Sequence, residues 1–240
     1  MDRRGAGAAV RDPGFGAGAQ LILLGLLWET VGLGPAGWLA GTAHAVVAWA
    51  LFSTAARRAG VRSPGPANRV TLARSALVGG VAALVADRAG DGAPTAALVA
   101  LAAAALALDA VDGYVARRTG TDSALGARFD MEVDAFLLLV LSVRVAESLG
   151  PWVLLIGAAR YAFGAAGWAA PWLRAPLPPS FARKTVAALQ GIVLVVASAD
   201  MLPRPVAAGA VGIALVSLGW SFGRDVRWLW RHGRGEKRAG

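Results

Sequence analysis

Four aspartates lie within or beside apolar stretches of the chain, at spacings that could hold metal ions. Asp109 and Asp112 are three residues apart, and Asp130 and Asp134 are four apart, so each pair lies on one face of a helix. Only a short turn separates the pairs, which favours an antiparallel helical hairpin. Facing carboxylates repel one another unless cations neutralise them. An oxygen-only ligand set suits hard ions, so we predict two divalent cations, Mg²⁺ or Mn²⁺, as phosphoryl chemistry commonly uses.

The composition excludes several other kinds of site. The chain has no cysteine and two histidines, which rules out thiolate sites, histidine-rich metal sites and a cysteine nucleophile. Its net charge of +9 comes from basic residues at the ends of apolar runs and in the tail. Because a basic stripe interleaved with aromatic residues is absent, we predict no nucleic-acid partner and assign this charge to anionic membrane lipids.

The elements that must position the aspartates are predicted to be membrane helices. The chain is 56% hydrophobic and 16% charged, against about 25% charged residues in soluble domains. The excess apolar surface therefore faces lipid, which predicts an all-α integral membrane protein with about eight membrane segments. The first segment is short and carries Glu29, so a re-entrant or interfacial segment is an alternative there. The eight predicted segments are residues 18–33, 36–56, 67–86, 94–116, 124–147, 151–170, 182–200 and 203–222.

The distribution of basic residues predicts the orientation. With the amino terminus inside, 20 of the 24 Lys and Arg residues lie on the cytoplasmic side. This asymmetry favours an even number of spans, with both termini and the active site cytoplasmic. The Ala-, Arg- and Gly-rich composition indicates a bacterium, and we predict the inner (cell) membrane as the location. We divide the chain into a disordered basic arm (1–17), a helical hairpin (18–58), a catalytic six-helix domain (67–222) and a basic tail (223–240).

One stretch carries a specific family resemblance. Residues 109–134 read DAVDGYVARRTGTDSALGARFDMEVD, which resembles the signature of the CDP-alcohol phosphotransferase family: DxxDGxxAR, eight residues, then GxxxDxxxD. The family core has six helices, so the resemblance implies a six-helix core preceded by a two-helix hairpin, and also a homodimer. All eight fixed positions match: Asp109, Asp112, Gly113, Ala116, Arg117, Gly126, Asp130 and Asp134.

The resemblance also implies roles for these residues. The aspartates hold the two metals, and Asp134 is in addition the general base that deprotonates an alcohol. The alcohol then attacks the β-phosphorus of CDP-diacylglycerol, and CMP leaves, which makes the chain a phospholipid-synthesising transferase. The residues implied to contact the CDP group are Asp112, Gly113, Ala116, Arg117 and Gly126.

A second element precedes the first. Residues 68–74 resemble the NxxTxxR pattern at the start of the family's first core helix, which makes Asn68 and Thr71 further nucleotide-site candidates. The alternative is that Asn68 caps a helix and that the neighbouring arginines lie at the lipid interface.

The acceptor alcohol is open from the sequence. The candidate contacts are basic residues of the last three segments, namely Arg160, Arg174, Arg183 and Lys184. We favour glycerol 3-phosphate, with inositol phosphate or another polar alcohol as the alternative. A hypothesis of another class is an ion or metal transporter that uses the aspartates as its pathway. That would require titratable residues across the whole bilayer, whereas these four lie at one end of their helices.

Overall fold

The chain is helical throughout its described part. The computed structural model describes residues 11–58, 66–87, 95–119, 124–178 and 180–233, and gives the backbone alone for residues 11–15, 66–69, 112–119, 124–125 and 232–233. In these residues there are eight α-helices and no strand, which confirms the predicted fold class. The helices are α1 Arg11–Val31, α2 Pro35–Arg58, α3 Pro66–Ala86, α4 Thr95–Thr119, α5 Ala124–Leu149, α6 Leu154–Ala169, α7 Phe181–Ser198 and α8 Arg204–Gly233.

Proline and glycine set several helix boundaries. Pro35 and Pro66 are the first residues of α2 and α3, a position where the missing N–H of proline removes no helical hydrogen bond. Gly32 follows α1 with φ 72°, and Gly150 follows α5 with φ 108°. Glycine adopts these positive φ values without the steric strain that a Cβ would bring. Pro151–Val153 and Pro171–Arg174 form short 3₁₀ turns around α6.

Two helices extend beyond the predicted boundaries. Helix α1 begins at Arg11, so residues 11–17 of the predicted disordered arm are helical; residues 1–10 lie outside the described part. In this extension Gly16 lies close to α3, since a Cβ placed on it would be 3.3 Å from the Leu72 side chain. Helix α8 continues to Gly233, eleven residues past the predicted end at 222. Within that extension Leu229 and Asp225 are buried, so this part of the predicted tail packs against the protein.

The described residues form two compact units, which divide inside α5 between Val140 and Leu141. In the first unit, α1 and α2 both pack against α3, and α3 packs against α4. The two amino-terminal helices therefore share a core with the first helices of the predicted catalytic domain. Fully or almost fully buried side chains of this core are Leu24, Val78, Val81, Leu98 and Leu137.

The second unit is built on the α7–α8 pair, with α6 against α8. Its core includes Leu194 and Val211, and also the buried polar side chain of Gln190. Gln190 Nε2 donates to the Ala214 carbonyl oxygen at 2.8 Å and contacts Ser217 Oγ at 3.3 Å. Side-chain hydrogen bonds of this kind join helices in membranes, where lipid offers no competing partner.

The outer surface is suited to lipid. Large apolar side chains are exposed on several helices, among them Ile22, Leu39, Trp168, Ile213 and Val216. Three described helices, α2, α7 and α8, are long and apolar enough to cross a membrane, and α1, α3 and α4 contain shorter apolar stretches. Exposed apolar surface on this scale is unfavourable in water and favourable in a bilayer. The chain is therefore a membrane protein.

Candidate metal and active site

Three of the four predicted aspartates come together in the first unit. Asp109 lies on α4, whereas Asp130 and Asp134 lie one turn apart on α5. One carboxylate oxygen from each lies within 4.8 Å of the other two. The backbone of Asp112 continues α4 one turn beyond Asp109, and its side chain is outside the described part. The two helices thus converge at Asp109, Asp130 and Asp134.

A buried arginine lies among these carboxylates. Arg74 of α3 donates from Nη1 to Asp109 Oδ1 at 2.5 Å and to Asp134 Oδ1 at 2.8 Å. Its Nη2 pairs with the carboxylate of Asp130 and also reaches the Asp130 carbonyl oxygen at 3.4 Å. One guanidinium therefore joins three carboxylates from two other helices. The fork geometry of arginine makes this possible, because its planar N–H groups diverge in fixed directions.

The surroundings keep Arg74 in this place. Its side chain is 1% exposed, while those of Asp109, Asp130 and Asp134 are 43%, 29% and 42% exposed. Next to it on α3, Ser75 and Ala76 are buried, and Thr71 is buried one turn earlier. A buried guanidinium is stable only when it is paired with acidic groups, so the three carboxylates stabilise the charge of Arg74 in this position. Their partial exposure leaves the carboxylate side of the cluster accessible.

The electrostatic balance of the cluster fits a divalent cation. Three aspartates and one arginine give the four side chains a formal charge of −2. All the acidic ligand atoms are carboxylate oxygens, the donors that Mg²⁺ and Mn²⁺ prefer. The residues present therefore fit a hard divalent ion.

The predicted nucleotide-binding residues lie on α3, α4 and α5, the helices that also carry this cluster. The backbone of Gly113, Ala116 and Arg117 forms the last turns of α4, and Asn68 lies in the first turn of α3; their side chains are outside the described part. Gly126 is half-buried in the first turn of α5, one turn before Asp130, and Thr71 is buried on α3. Their contacts with a nucleotide stay predictions.

The predicted acceptor residues all belong to the second unit. Arg160 is half-buried on α6, and Arg174 ends the 3₁₀ turn that follows it. Lys184 is exposed on α7. Arg183, on the same helix, donates from Nη1 to Asp225 Oδ2 at 3.2 Å and from Nη2 to the Pro178 carbonyl oxygen at 2.6 Å. The contacts of these four residues with an acceptor stay predictions.

A second arginine joins Arg183 at Asp225. Arg224 donates from Nη2 to Ser180 Oγ at 2.8 Å, and the same nitrogen lies 3.7 Å from Asp225 Oδ1. Asp225 is buried, whereas the two arginine side chains are about one-third exposed, at 33% and 34%. This cluster links the start of α7 to α8 and presents two guanidiniums around one carboxylate.

Sequence reasoning did not select Arg74, Arg224 or Asp225 of these clusters. Arg74 ends the NxxTxxR element, from which only Asn68 and Thr71 were taken as candidates. The signal that could have found it is an arginine inside an apolar segment, where a charge is costly without a partner. Asp225 lies in the predicted basic tail and has no comparable local signal.

The comparisons with known proteins agree with the geometry. A family model described as CDP-alcohol phosphatidyltransferase matches residues 66–221, from the first residue of α3 into α8. Searches of curated proteins and of solved structures gave no match. The matched segment contains Arg74 and the three clustered aspartates, and it covers more than half of the chain. The chain therefore belongs to the CDP-alcohol phosphatidyltransferase family, whose members are divalent-metal-dependent enzymes that transfer a substituted phosphate from a CDP-alcohol.

Proposed function

We propose that this protein synthesises a phospholipid by moving the phosphatidyl group of CDP-diacylglycerol to a polar alcohol, with release of CMP. The observation that carries the proposal is the convergence of Asp109, Asp130 and Asp134 around one point, inside the segment that matches the family. The partial exposure of these carboxylates supports access for a substrate.

The proposed reaction is a direct substitution at phosphorus. Asp134 takes the proton of the acceptor hydroxyl, whose oxygen forms a bond to the β-phosphorus of CDP-diacylglycerol. The bond from that phosphorus to the bridging oxygen breaks, and CMP leaves with the electron pair. Asp109, Asp112 and Asp130, together with Asp134, would hold two Mg²⁺ or Mn²⁺ ions. When bound, these ions supply positive charge to the diphosphate and to the leaving CMP.

Arg74 fits this scheme as a residue that positions the carboxylates. Its Nη1 is shared by Asp109 of α4 and Asp134 of α5, so it ties the general base to a metal ligand on another helix. A carboxylate has two oxygens and can accept from the arginine while it binds an ion. The CDP group is proposed to lie against Asp112, Gly113, Ala116, Arg117 and Gly126, with Asn68 and Thr71 at its border.

Glycerol 3-phosphate is the acceptor that we propose, with inositol phosphate or another polar alcohol as alternatives. Arg183 and Arg224 around Asp225 carry a formal charge of +1, and the exposed Lys184 beside Arg183 raises it to +2. This charge complements a phosphate dianion. Arg160 and Arg174 are proposed as further contacts in the same unit.

The direct test is a CMP-release assay on the purified protein with CDP-diacylglycerol and a panel of alcohols, in Mg²⁺ or Mn²⁺. We expect release with a phosphorylated alcohol, and loss of release in Asp134→Asn. The matched control is Asp200→Asn, because the Asp200 carboxylate also pairs with a buried arginine, Arg144, but lies in the second unit. Absence of release with every acceptor and both metals would contradict the proposed activity; metal uptake into vesicles by the same protein would favour a transporter.

The acceptor proposal has its own test. Arg183→Gln should raise KM for glycerol 3-phosphate about tenfold, the effect of losing one charged hydrogen bond. The control is Arg227→Gln, an exposed arginine of α8 whose Nε donates only to the Gly223 carbonyl oxygen within the same helix among the contacts of the described residues. An equal KM in the two variants would remove Arg183 from the acceptor site.

We further propose that the protein lies in a bacterial inner membrane as a homodimer, with both termini and the active site cytoplasmic. Because the chain has no cysteine, single cysteines can be introduced near each terminus and at Asp91 without background labelling. Asp91 lies between the predicted segments 67–86 and 94–116, a connection that the proposed orientation puts on the outer side. In intact cells a membrane-impermeant maleimide should therefore label only the Asp91→Cys variant. Labelling at either terminus would contradict the orientation, and a monomeric mass in detergent or nanodiscs would contradict the dimer.

A further inference from the structure

The α1–α2 hairpin precedes the family match, which begins at Pro66, yet both of its helices pack on α3. At one end of the hairpin, hydrogen bonds to Asp87, the residue that follows α3, link α2 to that helix. Asp87 Oδ2 accepts from the Gly34 N–H at 2.8 Å, and Oδ1 accepts from the Gly37 N–H at 3.2 Å. These N–H groups are at the start of α2, where helical partners are lacking. The side chain therefore caps α2 from the end of α3.

A polar contact fastens the middle of the hairpin. Gln20 of α1 donates from Nε2 to the Gly41 carbonyl oxygen at 2.7 Å, and its Oε1 lies 3.1 Å from His44 Nδ1. Since a carbonyl only accepts, the amide orientation is fixed, and Nδ1 of His44 must be the donor to Oε1. Both side chains lie over Gly79 of α3, where an added Cβ would be 2.6 Å from His44 Nδ1.

The hairpin also reaches α5 through two ring contacts. His44 stacks on Phe136 with ring centroids 5.1 Å apart, and Phe52 meets Phe129 edge-on at 5.2 Å. Phe129 and Phe136 are seven residues apart, so they lie on the same face of α5, two turns from each other. Asp130 and Asp134 fall between them in sequence and on an adjacent face. The hairpin thus contacts α5 at the residue before Asp130 and at the second residue after Asp134.

We propose that the α1–α2 hairpin positions the metal centre, with His44 and Phe52 as the positioning residues of α2. The hairpin holds both α3, which carries Arg74, and α5, which carries Asp130 and Asp134. A shift of α5 relative to α3 would separate carboxylate oxygens that lie within 4.8 Å of one another. This inference rests on the proposed metal site, and it assigns a role to a part of the chain outside the family match.

The experiment measures Mn²⁺ affinity, since a merely structural hairpin would alter stability without altering the affinity of folded protein. Free Mn²⁺ is followed by electron paramagnetic resonance during titration of the full-length protein in nanodiscs. We expect Phe52→Ala to weaken Mn²⁺ binding about tenfold, as changes in groups that orient metal ligands commonly do. Phe52→Tyr, which keeps the ring, should restore the affinity.

The matched control is Phe163→Ala. Phe163 and Phe222 form a ring pair in the second unit with the same 5.2 Å centroid separation, so that variant loses a similar contact in the unit that does not carry the aspartates. We expect its Mn²⁺ affinity to equal that of the wild type. If Phe52→Ala does not fold, Phe52→Leu and His44→Leu, which keep apolar bulk, are measured in its place.

An unchanged Mn²⁺ affinity in folded Phe52 and His44 variants would overturn the inference and leave the proposed activity intact. A wild-type protein that binds no Mn²⁺ would instead contradict the metal centre itself, and this inference with it. Loss of affinity in the Phe163 control as well would show a general effect of destabilisation and would also overturn the positioning role.

Discussion

Arg74 offers the sharpest test of how the aspartate cluster is built. We consider Arg74→Met, which keeps a long flexible side chain and removes the guanidinium. Removing one partner of a buried ion pair destabilises proteins by about 3–5 kcal/mol. Here the three carboxylates left behind are 29–43% exposed, so water solvates them in part. We therefore expect the lower end, about 3 kcal/mol, in protein freed of divalent metal by chelation.

This loss should depend on divalent metal. The variant cluster carries a formal charge of −3 in place of −2, so an added ion gains more from binding to it. An ion at about 100 times its Kd stabilises the folded state by about 2.7 kcal/mol. Saturating Mg²⁺ or Mn²⁺ should thus recover most of the deficit of the variant, while the wild type gains less. At about 2–4 °C per kcal/mol, the metal-free deficit corresponds to about 6–12 °C in melting temperature.

The assay is thermal unfolding in detergent, followed by the fluorescence of the nine tryptophans, with and without metal. The matched control is Arg144→Met. Arg144 is also buried and pairs with two carboxylates, Glu147 at 3.3 Å and Asp200, in the second unit. It should lose comparable stability that metal does not restore. A deficit in Arg74→Met that is the same in chelator and in saturating metal would refute the idea that arginine and ion share these carboxylates.

Two further predictions concern packing. Gly79→Ala places a Cβ against the Gln20 and His44 side chains, so we expect a loss of about 1–3 kcal/mol by thermal unfolding, whereas Gly212→Ala, with no atom within 4 Å of its added Cβ, should be neutral. Gln190→Leu removes the hydrogen bond to α8 and should lower stability by about 0.6 kcal/mol, the average for such bonds in membranes, and by no more than about 1.7 kcal/mol. A neutral Gly79→Ala would show that the hairpin is less closely packed on α3 than described. An unchanged melting temperature in Gln190→Leu would mean that this bond contributes nothing to the α7–α8 pair.

The helices and the aspartates were predictable because their signals are local. Continuous apolar runs between charged turns predict membrane helices without any knowledge of how those helices pack together. Eight such runs correspond to the eight described α-helices. Asp130 and Asp134 share a face because they are four residues apart on one helix. Helix ends were less predictable, since α1 and α8 extend through residues that only tertiary packing buries, such as Leu229.

The contacts between distant residues were not predictable in this way. Nothing in the local pattern of α3 places Arg74 at Asp109 and Asp134, which are 35 and 60 residues away. The same holds for Arg183 and Asp225, separated by 42 residues. In the first cluster the sequence identified the aspartates and not Arg74, and in the second it identified Arg183 and not Asp225.

The sequence by itself determined the class of this protein and singled out the aspartates that cluster, because composition and helical spacing are properties of each segment alone. The family match of residues 66–221 rests on the same local order of residues. Only the tertiary structure showed that the Arg74 guanidinium lies among the carboxylates. It also showed that α2 contacts α5 before and after the two aspartates of that helix. Both contacts depend on how the helices pack. The distance between two helices is set by side-chain size at their interface, as at Gly79 of α3, where the absent Cβ leaves space for Gln20 and His44.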